Sequence, residues 1–119
     1  MNGISLGKQM LLAAAIFSLF AFLVVASTAK AADLASAKKV FEERCAKCHG
    51  ETGKGDGPKA KTLKKKPRDY TDKAEMSKIT DEQLKKEILD GKKPMPAFRS
   101  KIDEKTVDDL IAYVRTFAK

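Results

Sequence analysis

Cys45-Ala46-Lys47-Cys48-His49 gathers both cysteines and the single histidine of the chain into five positions. Two cysteines three apart near the end of a helix point to one side, so their thiols can reach the two vinyl groups along one haem edge. The next residue, His49, can then turn its imidazole towards the iron. C-x-x-C-H is the pattern of c-type haem attachment, and it points to one covalently bound haem c per chain.

Other chemistries use parts of the same motif. A thiol-disulfide pair shares C-x-x-C but expects a βαβ surround, and no alternating strand pattern flanks these cysteines. A structural zinc site needs four Cys or His ligands, and the whole chain offers three. A disulfide between Cys45 and Cys48 would close so short a loop that little unfolded-chain entropy is removed.

With one histidine, the iron cannot take two, so its sixth ligand is a methionine, another group, or nothing. Beyond the N-terminal segment the chain has Met76 and Met95. Met95 lies in Gly91-Lys92-Lys93-Pro94-Met95-Pro96-Ala97-Phe98, where prolines on both sides fix φ and bar a helix. A stiff, extended loop of this kind can hold a thioether against a haem face at low entropic cost. Met76 lacks that frame and reads as a gap-filling core residue. His49 and Met95 are therefore the expected iron ligands, and no catalytic residue is expected. An iron with two strong protein ligands has no open position for substrate, which suits electron transfer better than bond-making.

These residues need a compartment and a scaffold. Met10 to Ala26 is apolar apart from Ser18; Lys8 precedes it and a run of small residues follows, the three zones of a secretory signal peptide. Its 17 residues fall just short of the ~18 to 20 that a spanning helix wants, so two outcomes stand: cleavage after Ala31, or a retained membrane anchor. The expected organisation is a signal peptide or uncleaved anchor over 1–31 and one domain over 32–119. Export to the periplasm or the outer face of a bacterial cytoplasmic membrane follows, with membrane contact only if the segment stays. The segment contains Lys8 and Lys30 and no acid, so the domain keeps about +6 of the formal +8. It also takes three of the six phenylalanines, leaving a core thin enough to need a staple.

Three main helices are expected in that domain. Asp33 should cap the first, with Leu34, Ala37, Val40, Phe41 and Arg44/Cys45 along one face, ending at the haem motif. Gly50 to Pro67 reads as loop with a helical turn near Lys59 to Leu63. Thr80-Asp81-Glu82-Gln83 is a capping box, Ile79 can staple to Leu84, and the helix should stop at Gly91. Asp103 should cap the last helix, whose stripe Val107, Leu110, Ile111, Val114 and Phe117 should pack on the first.

On Cys45-Ala46-Lys47-Cys48-His49-Gly50, the Gly55-Asp56-Gly57-Pro58 turn, Met95-Pro96-Ala97-Phe98 and the terminal Leu110-Ile111-Ala112-Tyr113-Val114-Arg115, the chain resembles class I cytochromes c over essentially all of Ala32 to Lys119. The resemblance implies an all-α small cytochrome c fold around one covalently bound haem, attached to a translocated, unfolded chain. It also implies that the Pro58 carbonyl accepts a hydrogen bond from the His49 ring. One departure is Ala37 four residues before Phe41, where the family often has glycine. The short stretch from Pro58 to Met95 suggests a small bacterial form.

A monomeric one-electron carrier between exported or membrane redox proteins is the expected function. The rivals are a haem subunit of a larger oxidoreductase, and a haem sensor or enzyme with a weak sixth ligand. Lys59, Lys61, Lys64, Lys65, Lys66 and Arg68 place six basic residues within ten positions with no acid between them. The run is either a solvated loop or a docking patch for an acidic redox partner. Nucleic acid is not an expected partner, because the run has no interleaved aromatics and the chain is exported.

Overall fold

In a computed structural model, which describes residues 31–119, Asp33 caps helix α1 (Leu34–Arg44) by accepting from the Ser36 N–H at 3.0 Å. The expected signal peptide or anchor, apart from Ala31, lies outside the described residues. From the second turn onward α1 turns Ala37 and Phe41 into the core. Leu34 does not join them: it sits in the first turn and is 43% exposed, so the apolar face is shorter than its sequence pattern. After Cys45 the chain enters a single turn, α2 (Ala46–His49).

Beyond α2, each α-helix among the described residues begins at a side-chain cap. The loop after α2 contains a 3-10 turn at Ala60–Thr62. Helix α3 (Lys73–Ser77) is capped by Asp72, which accepts from the Glu75 N–H. Helix α4 (Asp81–Asp90) begins with the full capping box: Gln83 N donates to Thr80 Oγ1 at 3.2 Å and Thr80 N donates to Gln83 Oε1 at 2.9 Å. It stops at Gly91. Helix α5 (Glu104–Arg115) starts at Asp103, which accepts from the Thr106 N–H at 3.0 Å.

α1 packs against α5, and α4 packs against α5 from another side. Val107, Leu110, Ile111 and Val114 all bury on the inner face of α5. Ala37 is fully buried, so the domain accommodates a methyl where the resembling family often has glycine. Phe41 anchors an aromatic group, with ring centroids 5.5 Å from Tyr113 and 5.3 Å from Phe117. Met76 is 1% exposed in the same core.

Arg115 closes the fold where α3 hands over to α4. Its guanidinium donates to the Met76 and Ile79 carbonyls and to Asp81 Oδ1. The Met76 carbonyl falls in the last turn of α3 and the Ile79 carbonyl in the link to α4, where a helix end leaves acceptors without partners, and a fork of fixed donors from α5 satisfies both.

Candidate functional site

The C-x-x-C-H segment is built as a continuation of α1 with a changed axis. Cys45 N donates to the Phe41 carbonyl at 2.8 Å and closes α1, and the Cys45 carbonyl then accepts from both Cys48 N at 3.1 Å and His49 N at 2.9 Å. One carbonyl serving two donors tightens the turn and sets Cys45, Cys48 and His49 around a single bend. Both thiols are free and half-buried. Burial pushes the Cys45 thiol up to about 11, with Arg44 opposing weakly, so it stays protonated at neutral pH. A catalytic redox cysteine needs the opposite shift, which argues against thiol-disulfide chemistry.

His49 is buried, at 7% exposure. Its ring stacks on Tyr70 with centroids 4.7 Å apart and planes 16° from parallel. Nδ1 lies 3.4 Å from the Arg68 carbonyl oxygen, and Nε2 lies 3.5 Å from the Tyr70 hydroxyl. A carbonyl can only accept, so Nδ1 carries the proton and Nε2 keeps its lone pair. Burial holds the imidazole below the ordinary histidine range, and the hydrogen bond to Arg68 opposes that shift. The result is a neutral ring whose Nε2 carries the lone pair and faces the Tyr70 hydroxyl.

The acceptor differs from the one the family resemblance implied. Pro58 is exposed and is not a partner of His49 here; the Arg68 carbonyl takes that place. The reason lies in how the loop folds back. Gly57 N donates to the Cys48 carbonyl at 3.1 Å and Lys59 N to the Lys47 carbonyl at 2.9 Å, which pins the Gly57-Pro58 step to the outside of α2. A Cβ on Gly57 would lie 2.4 Å from the Ala46 and Lys47 carbonyl oxygens, so only glycine permits this approach. Gly55, at φ +71°, leaves equal room for the Pro67 carbonyl, which a Cβ there would meet at 2.4 Å. Tyr70 N donates to the Gly53 carbonyl at 2.7 Å, and the Pro67–Tyr70 stretch is thereby laid along the His49 ring.

Met95 sits in a turn closed twice: Met95 N donates to the Lys92 carbonyl at 2.9 Å and Lys92 N to the Met95 carbonyl at 3.1 Å. The stiff, extended loop read from the prolines is thus a hydrogen-bonded reversal, and the two backbone bonds add to the proline constraint. Past it, Phe98 N and Arg99 N donate to the Ile88 and Leu89 carbonyls, fastening the segment to the end of α4. Met95 and Cys45 pack against one core cluster, which also contains Phe41, Tyr70, Leu84 and Phe98.

Sequence reasoning missed the ion pairs around Glu87. Arg68 Nη1 donates to Glu87 Oε2 at 2.8 Å, and Lys92 Nζ donates to Glu87 Oε1 at 2.6 Å. Burial works to raise the Glu87 carboxyl, but Arg68 and Lys92 together bring it below the usual carboxylate range. Arg68 therefore leaves the basic run and turns inward, while the five lysines remain exposed. No i,i+3 or i,i+4 helical spacing marks these pairings, which span 19 and 5 positions.

The donor set fits haem c: two free thiols on one turn, a neutral buried imidazole with a lone pair on Nε2, and apolar side chains beside them. A family profile described as "Cytochrome C oxidase, cbb3-type, subunit III" matches residues 32–114. Cytochrome c6 of Nostoc sp. is 36% identical over 104 residues, covering 87% of this chain and 85% of that protein. Cytochrome c6 of Pyropia yezoensis is 35% identical, covering 83% of this chain and 86% of its own length. Among solved structures, the c-type cytochrome KustC0563 is similar with a TM-score of 0.63 and 27% identity, over 70% of this chain and 98% of the other. A chain of the Kuenenia stuttgartiensis reducing HAO-like protein complex is similar with a TM-score of 0.63 and 28% identity, over 72% of this chain and 44% of the other.

Gly55→Ala is expected to destabilise the domain by about 2 kcal/mol or more, since it combines a left-handed φ with a backbone clash. Denaturant unfolding of the two proteins measures it, and an unchanged midpoint would mean that the Pro67–Arg68 backbone yields freely.

Proposed function

The chain belongs to the class I c-type cytochromes, and from that membership we propose that it is an exported one-electron carrier whose haem c is bonded to Cys45 and Cys48 and ligated by His49 and Met95. Bound haem supplies a reversible one-electron couple at its iron. The chain's own residues do the rest. Cys45 and Cys48 each contribute one thioether bond, so the cofactor cannot dissociate. The Arg68 carbonyl holds the Nδ1 proton of His49 and leaves Nε2 for the iron. Met95 supplies a neutral thioether, which together with burial favours the reduced state over a second imidazole. Phe41, Tyr70, Leu84 and Phe98 keep water away.

The observation that carries this reading is the single bend placing two free thiols beside a buried imidazole whose Nδ1 faces a carbonyl. Among the described residues no helix is long and apolar enough to cross a membrane, so an anchored form would depend on the N-terminal segment. The partners of a carrier are redox proteins, and the exposed lysines beside the motif favour an acidic one. Lys59, Lys61, Lys64, Lys65 and Lys66 take part in no ion pair among the described residues. The bond from Lys59 N to the Lys47 carbonyl and the packing of the 3-10 turn on α2 hold this loop against the haem-binding turn.

A second reading, a subunit fixed in a larger oxidoreductase, draws support from the oxidase-subunit profile and from the neighbour that belongs to a protein complex. Purification as a monomer without a co-purifying chain favours the free carrier.

Replacing both Cys45 and Cys48 by Ala is expected to abolish haem staining on denaturing gels, with either single change weakening it. Haem retained by the double variant would refute the attachment site. Met95→Ala should give a high-spin or weakly ligated iron of lowered potential, while Met76→Ala leaves the iron spectrum nearly as it was; reversed outcomes would reassign the ligand. Electron transfer to an acidic partner should slow as salt rises from 0.01 to 0.1 M, over which the Debye length falls from about 30 to 10 Å. Lys64→Glu with Lys65→Glu should slow it further at low salt. Stopped-flow rates insensitive to both changes would return the lysines to a solvated loop.

A further inference from the structure

Glu87 stands where the two ligand-bearing segments come nearest to a shared support. It lies on α4, partly buried, one residue before Ile88, whose carbonyl accepts from Phe98 N. One carboxylate oxygen receives Arg68 Nη1 at 2.8 Å, and the other receives Lys92 Nζ at 2.6 Å, with Arg68 Nη2 at 3.4 Å. Arg68 and Glu87 are 28% and 21% exposed, the only ion pair among the described residues with both side chains under a third exposed. Screening weakens it less than the others.

The two bases are not arbitrary positions. The backbone carbonyl of Arg68 faces His49 Nδ1, and the backbone of Lys92 closes the turn that carries Met95. A carboxylate with two oxygens and two cationic donors can therefore fix both segments at once. Either base alone would leave one side free. Resting on the His49 and Met95 ligation proposed above, we infer that Glu87 is a positioning residue that couples the two axial-ligand segments through Arg68 and Lys92.

The coupling predicts an effect that crosses from one side to the other. Loss of Arg68, on the His49 side, should loosen Met95, because Glu87 then holds Lys92 on a less constrained side chain. An ordinary surface staple would change global stability and leave the sixth ligand alone. The readout is competition: added imidazole displaces Met95 from ferric holoprotein and is followed optically, beside the unfolding midpoint.

Glu87→Gln is expected to raise imidazole affinity about tenfold, the scale of one charge-assisted hydrogen bond, with haem still covalently attached. Arg68→Gln should raise it too, and its effect should vanish in the Glu87→Gln background. Lys92→Gln changes an exposed residue and reads the same arm should Glu87→Gln fail to fold. Met95→Ala is the control. If Met95→Ala raises imidazole affinity and the Glu87, Arg68 and Lys92 variants stay within about twofold of the parent, the coupling is overturned while the ligand assignment stands. If Met95→Ala itself changes nothing, Met95 is not the ligand and the coupling falls with it.

Discussion

A neutral imidazole offers a lone pair on one nitrogen because its proton sits on the other, and in this domain a backbone carbonyl fixes where that proton sits. Nδ1 of His49 points at the Arg68 oxygen, which requires the proton to sit there and leaves Nε2 with a lone pair. Much of the loop between Gly50 and Tyr70 serves that one contact. Gly57 brings the loop against α2, Gly55 makes room for the Pro67 carbonyl, and the bond from Tyr70 N to Gly53 holds the far end in place. The Tyr70 ring then supports the imidazole from one face.

The last turn of α4 plays the same role for the other segment. The Ile88 and Leu89 carbonyls, which a helix end would leave without partners, accept from Phe98 and Arg99. Asp90 adds an ion pair to Arg99, and Glu87 holds Lys92. Four consecutive residues of one helix thus support the methionine loop, while Leu84, Ile88 and Leu89 face the core. A helix end that needed acceptors covered and a loop that needed anchoring solve each other's problem.

What the sequence made legible was local. Asp33, Thr80 and Asp103 reveal helix starts because a cap and the donor it satisfies lie three residues apart. The C-x-x-C-H motif is readable for the same reason, as is the α5 stripe. Short α3 went unread although Asp72-Lys73-Ala74-Glu75 holds a capping signal, since its only core residue is Met76 and no periodic stripe accompanies it. The family resemblance points to the Pro58 carbonyl for His49, whereas the Arg68 carbonyl faces Nδ1 in the fold, because every residue carries a backbone carbonyl and only the fold decides which one arrives. Arg68 looked like part of a basic surface for a related reason: its partner Glu87 is 19 positions away. Leu34 shows the reverse error, an apolar side chain on the expected face with nothing opposite it.

The packing of α1 on α5 also bears on the order of events during synthesis. The two helices stand near opposite ends of the domain, so joining them closes a loop of most of its length, and that closure is slow relative to local helix formation. Until α5 has emerged, Phe41 has no aromatic partners at Tyr113 or Phe117. The cysteines at the end of α1 therefore stay within reach while the rest of the polypeptide is still arriving. A domain sealed by its last helix leaves an interval for a covalent cofactor to reach the thiols before burial closes over them.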